Sequence, residues 1–234
     1  MGNPTNEHAS WQAIMFSPIG KKVLTGITGL GLTFFVLTHM LGNLSYFQGD
    51  EAYNAYTEFL SSLGMLLYLI EAGLLLFIIL HIVLGINIYL SKRKARAVGY
   101  KSFKTAGGPS KQSISSRSMI ITGVILMVFL VIHLWSFKFG TYYETTLDGK
   151  PARDLARLVT EKFQSPWYTF GYVGIVLLLG LHLRHGVWSA FQSLGAMTPR
   201  LTPLIYTIGI VLGLLIAVGF FVLPLWIFFT GGNV

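Results

Sequence analysis

The sequence predicts an all-α integral membrane protein built as one bundle of five transmembrane helices, and three observations carry that reading. The chain of 234 residues is 53% hydrophobic and only 11% charged, too apolar a balance for an ordinary soluble domain of this length. It contains five apolar runs, about Val23 to Phe47, Leu63 to Leu90, Met119 to Phe137, Trp167 to Phe191 and Pro203 to Phe229. At 1.5 Å rise per residue each can cross roughly 30 Å of hydrocarbon. None shows the apolar–polar alternation of a barrel strand, and lipid offers backbone groups no partner, so each run should be helical throughout. Residues 1–234 then form a single domain.

Taken in order, Trp11 to Phe16 form a short stretch that would lie on the membrane surface or fray. No cleavable signal peptide is expected, because the polar start leads directly into a full-length span. Lys21 and Lys22 precede the first span, and the loop after it carries Asp50, Glu51 and Glu58 without Lys or Arg. The connection between spans two and three is strongly basic, with Lys92, Arg93, Lys94, Arg96, Lys101, Lys104, Lys111 and Arg117, and is broken by Gly107-Gly108-Pro109-Ser110. The positive-inside rule places it in the cytoplasm, with the N-terminus inside and the C-terminus outside. The next loop holds Lys138, Lys150, Arg153, Arg157 and Lys162, five basic residues against eight. Within it Leu155, Leu158, Val159 and Phe163 follow helical spacing and predict a short surface helix. Thr198-Pro199-Arg200 marks the turn into the last span.

The net charge of +8 does not indicate nucleic acid, since the basic residues sit between apolar runs and form no aromatic-interleaved patch. Topology accounts for them. Cysteine is absent, which excludes disulfides, a thiolate-held iron–sulfur cluster in this chain and thioether-linked haem. Any metal must be held by histidine or oxygen.

His8 lies in the polar N-terminal stretch and reads as solvated, whereas the other five histidines lie within spans. Singly, each reads equally as a hydrogen-bonded packing residue or as a ligand or proton relay. Their depths separate the two readings. His39 and His133 fall late in outward-running spans and share an outer layer; His81 and His182 or His185 fall late in inward-running spans and share an inner one. Zinc or copper would want three or four ligands at one point, while a bis-histidine layer without cysteine suits a six-coordinate haem. Two stacked haem b groups between four helices is the expectation, with the histidine-free fifth helix closing the bundle.

On the fourth span, His185 lies three residues after His182, so spacing lets either reach an iron. Arg184, or His185, would then meet a negatively charged propionate, or Arg184 would extend to the membrane surface. Gly26, Gly29, Gly31, Gly85, Gly171, Gly174 and Gly180 thin the helices for a flat macrocycle or for close helix packing.

The strings SPIGKKVLTGITGL and THMLGN in the first span, HIVLGINIYL in the second, VIHLWSFKFG in the third and LHLRHGVWSAFQSLG in the fourth carry a resemblance over nearly the whole chain. Together they resemble the single-chain, five-helix, di-haem cytochrome b membrane anchor of succinate dehydrogenases and fumarate reductases. The resemblance implies His39 and His133 as ligands of a distal haem, and His81 and His182 of a proximal one, and so selects His182 over His185. It also implies flavoprotein and iron–sulfur partner subunits on the cytoplasmic side, a prokaryotic inner membrane, room for a higher oligomer of the complex, and electron exchange with a quinone, menaquinone being the one expected.

Quinone chemistry needs a proton donor or acceptor near the distal haem. The outer-side candidates are Glu58, before the second span, and Glu71, inside it, where a carboxylate must be neutral, paired or functional. Two alternatives stay open: a di-haem anchor for another soluble partner such as a hydrogenase or formate dehydrogenase, and a haem-free transporter or scaffold using the histidines as proton relays.

Overall fold

The computed structural model describes Met15, residues 17–95 and residues 114–232. The surface stretch at Trp11 to Phe16 falls outside the described residues except for Met15. So do His8, Arg96, Lys101, Lys104, Lys111 and the Gly107–Ser110 break. Among the described residues five helices are long and apolar enough to cross a membrane, which makes this an all-α, multi-pass membrane bundle.

Helix α1, Pro18–Asn43, starts where Ser17 Oγ accepts from the Gly20 N–H at 3.0 Å, with Pro18 in the first turn where no donor is needed. A 3₁₀ segment, Leu44–Gln48, extends it. Gly49, at φ 102°, redirects the chain into α2, Asp50–Ser62, whose first turn carries Asp50 and Glu51 against the positive helix end. The loop expected between the first two spans is thus a helix, missed because its apolar face is short. Gly64, at φ 53°, leads into α3, Met65–Lys94, which ends on Lys92, Arg93 and Lys94 at the negative helix terminus.

Helix α4, Ile114–His133, runs into a π-helical turn, Leu134–Lys138. An antiparallel hairpin follows, β1 Glu144–Leu147 and β2 Lys150–Arg153, closed by Asp148 and Gly149, both at positive φ, the Asp-Gly chemistry of a tight hairpin turn. Helix α5, Leu155–Phe163, takes the place expected for a surface helix, yet Ala156, Leu158, Val159 and Phe163 are buried. Helices α6, Pro166–Ser193, and α7, Leu201–Thr230, complete the chain.

In cross-section α1 packs on α3 and α6, and α4 packs on α6 and more thinly on α3, so these four form a ring in which α1 faces α4 and α3 faces α6 across the diagonals. Helix α7 lies mainly against α6. The reason is a small-residue seam. A side chain at Gly213 or Gly209 would meet the backbone oxygens of Gly180 and Arg184, and one at Gly180 would meet Gly213 and Ala217. Small residues let backbones approach where lipid supplies no hydrophobic drive between helices.

Segments 44–62 and 139–165 gather into a cap at one end of the bundle; the other end, with Lys21, Lys22, Lys92 to Lys94 and Arg117, is the basic end. Asn54 pins the cap. Its Oδ1 accepts from the N–H groups of Leu155 and Ala156, both at 2.9 Å, and its Nδ2 donates to Asp154 at 2.9 Å. Tyr46 and Thr160 hydroxyls meet at 2.5 Å, and Arg153 donates to the Phe137 carbonyl at 2.8 Å, holding the hairpin to the π turn. Tyr46, Tyr53, Val159, Phe163, Leu223 and Ile227 bury one apolar cluster between cap and bundle. The membrane-facing exterior is the converse: Phe34, Leu69, Leu76, Val83 and Val131 are exposed, and α3 buries only Leu84, as a helix solvated by lipid does.

Candidate functional site

His39 and His133 meet across one diagonal of the ring, and the other diagonal joins the helices that carry His81 and His182. Toward the cap, the His39 and His133 rings stand 5.8 Å apart between centroids, nearly perpendicular at 83°. Phe35, Phe220, Phe129 and Phe137 surround them, each 5.5–5.8 Å from one of the two rings. Toward the basic end, His182 lies within electrostatic reach of His81. Three helices give the same spacing between these levels. Gly29 beside His81 and then His39 on α1, Thr122 beside His182 and then His133 on α4, and Tyr172 beside His133 and then His182 on α6 are each ten or eleven residues apart. At 1.5 Å per residue that is about 15–17 Å.

Polar partners orient these rings. His81 Nδ1 lies 3.2 Å from the Thr25 carbonyl and 3.3 Å from Thr28 Oγ1. A carbonyl only accepts, so Nδ1 carries the proton and Nε2 is left bare. His182 Nδ1 lies 3.0 Å from Thr122 Oγ1, whose own proton goes to the Ser118 or Met119 carbonyl one turn back; the hydroxyl therefore accepts from the ring and again leaves Nε2 bare. His133 Nδ1 meets the Tyr172 hydroxyl at 3.3 Å, a group able to donate or accept. For His39, Asn43 Oδ1 is taken by the Tyr53 hydroxyl at 3.2 Å, so Nδ2 turns back to the His39 carbonyl at 2.8 Å and to Nε2 at 3.5 Å. Sequence reasoning missed Thr25, Thr28, Thr122, Tyr172 and Asn43. Hydroxyls and an amide at histidine depth in otherwise apolar spans were the available signal.

His185 lies within electrostatic reach of His182, as His81 does, while Arg184 turns away from the ring of four helices. The His185 ring packs on Trp188 at 5.2 Å, and Arg184 is exposed with its backbone and Cβ against the α7 glycines. Glu71 is ion-paired with Lys138, which reaches across from the π turn of α4 to α3. The carboxylate there is therefore paired, which leaves a functional role open to it. Glu58 is exposed on α2 and joins neither Glu71 nor a histidine among the described residues.

The glycines divide. Gly29 admits the His81 ring and Gly31 the Phe77 ring, whereas Gly26 and Gly180 press on backbone of α6 and α7, the helix-packing role. Gly85, Gly171 and Gly174 have no neighbour where a Cβ would project. Among the described residues no three His, Asp or Glu side chains gather as a metal site; the histidines come in twos. Comparison with models of protein families, with curated proteins and with solved structures finds no match.

Proposed function

We propose that the chain is the membrane-anchoring cytochrome b subunit of a succinate:quinone oxidoreductase, holding two haem b groups between four of its helices. The observation that carries this reading is the His39–His133 couple on one diagonal of the helix ring, with His81 and His182 on the helices of the other diagonal about 15 Å away in depth, in a chain with no cysteine. The donor set fits the group. The cap-end pair, at 5.8 Å between ring centroids, would supply two imidazole ligands to one haem. Bare Nε2 atoms on His81 and His182, and a glycine at the His81 ring, support the same reading at the other level.

In this reading His39 and His133 hold the distal haem and His81 and His182 the proximal one. When bound, the haems supply two one-electron centres in a low-dielectric interior. The basic end faces the cytoplasm, where flavoprotein and iron–sulfur subunits interconvert succinate and fumarate, and the cap faces outward. Glu71 lies ten residues before His81, about 15 Å toward the cap, and so at the level of the distal pair. Its carboxylate, held by Lys138, is the group placed to exchange a proton with a quinone, menaquinone in the resemblance. With dicarboxylate chemistry inside and quinone chemistry outside, each charge crossing works with or against roughly 2.3 kcal/mol per 100 mV.

Haem-to-chain stoichiometry of the purified intact complex tests the reading: two is expected, and one overturns it. Co-purification with a flavin- and iron–sulfur-containing pair separates this complex from anchors of other respiratory enzymes. Glu71→Gln is expected to lower quinone-linked turnover with the haem spectrum intact, and Glu58→Gln to do so less. Unchanged turnover in both removes them from the mechanism.

A further inference from the structure

The geometry points to Thr122, and to Thr28 together with the Thr25 carbonyl, as positioning residues that fix the inner histidines in one tautomer and set the redox potential of the site they hold. The inference rests on the two-haem reading above.

Thr122 Oγ1 is 3.1 Å from the Ser118 carbonyl and 3.2 Å from that of Met119, so its proton is spent on its own helix and a lone pair faces His182 Nδ1 at 3.0 Å. Thr28 repeats the device on a different helix, donating to the Leu24 carbonyl at 2.8 Å and presenting its oxygen to His81 Nδ1 at 3.3 Å. Both threonines are nearly inaccessible, at 4% and 3% exposure, so water does not replace them. The His81 ring has a second acceptor, the Thr25 carbonyl at 3.2 Å, which no side-chain substitution removes.

An acceptor on Nδ1–H draws that proton away from the ring and makes Nε2 the more basic ligand, which favours the more highly charged ferric iron. Removing the acceptor therefore shifts the one-electron equilibrium toward the ferrous state, with no bond made or broken. The two threonines are unequal in a way the structure dictates. Thr122→Val leaves His182 Nδ1–H without a partner, whereas Thr28→Val leaves His81 the Thr25 carbonyl.

The test is a spectroelectrochemical titration of the haem α-bands in the intact complex, wild type against Thr122→Val, Thr122→Ser, Thr28→Val and Tyr172→Phe. Thr122→Val is expected to move one of two one-electron components to a more positive potential by about tenfold in its equilibrium, about 59 mV. Thr28→Val moves the same component by less than about threefold, Thr122→Ser restores the wild-type value, and Tyr172→Phe moves only the other component. Haem-loaded variants with unmoved potentials, or with equal shifts for Thr28→Val and Thr122→Val, overturn the inference alone. A wild-type complex without haem overturns the functional reading and this inference with it.

Discussion

The two histidine pairs differ in what holds them. At the basic end the partners of His81 and His182 are a backbone carbonyl and threonine oxygens whose protons are already committed to their own helices, so the imidazole tautomer is fixed by the helices themselves. At the cap end His133 faces a phenol that can turn either way, His39 faces an amide, and four phenylalanines supply most of the surroundings. The basic-end pair is organised by contacts between spanning helices within the bundle, α1 to α3 and α4 to α6. The cap-end pair is organised also by the cap, because Tyr172 belongs to the cluster that joins bundle to cap, and Asn43 is oriented by Tyr53 of α2. Disturbing the cap should therefore reach the cap-end pair and spare the basic-end one.

The strongest break is at the histidines proposed as haem ligands. His182→Ala and His133→Ala should each lower the haem-to-chain ratio from two to one, measured on the purified complex by the pyridine haemochromogen spectrum. Loss of both haems from either variant would show that the pairs are not independent. A smaller effect is expected from Asn54→Ala, which strands the N–H groups of Leu155 and Ala156 and costs on the order of 2–4 kcal/mol of cap stability. Thermal unfolding should fall accordingly, with the signal of the haem proposed at the cap end lost at a lower temperature than that of the one proposed at the basic end; simultaneous loss would deny the cap its selective role.

The smallest effect lies at Asp50. Partial burial, and then the neighbouring Asp154, push its carboxyl above the usual range. A raised folded pKa means that the folded cap binds this proton more readily than the unfolded chain, so the penalty exists above the folded pKa and vanishes below the unfolded value, about 3.8. Asp50→Asn should then be slightly more stable than wild type at pH 7, with the difference shrinking as pH falls toward 4. A difference that grows in acid would reverse the assignment.

Much of this was legible in the residues. Apolar run length located all five spanning helices to within a few residues of their ends, because a lipid-solvated helix has few other ways to satisfy its backbone. The spacing of Leu155, Leu158, Val159 and Phe163 marked α5, though as a surface helix rather than one buried in the cap. Helix α2 and the hairpin were not seen, since Asp50–Ser62 is largely polar and four-residue strands give too little alternation to read. Lys138 as the partner of Glu71 was equally hidden. They stand 67 residues apart, and a π turn directly after His133 precedes the approach across to α3.

Sequence alone determined that five helices are apolar enough to cross a membrane, and at which depth each histidine sits, because hydropathy and rise per residue are properties of a single helix. It could not determine who faces whom. The ring order of the helices, the diagonal approach of His39 to His133, and the threonine and tyrosine oxygens that settle each imidazole's proton depend on how each helix is rotated about its axis. Only packing fixes that rotation, through contacts such as the Gly180–Gly213 seam and the ring of His81 seated on Gly29.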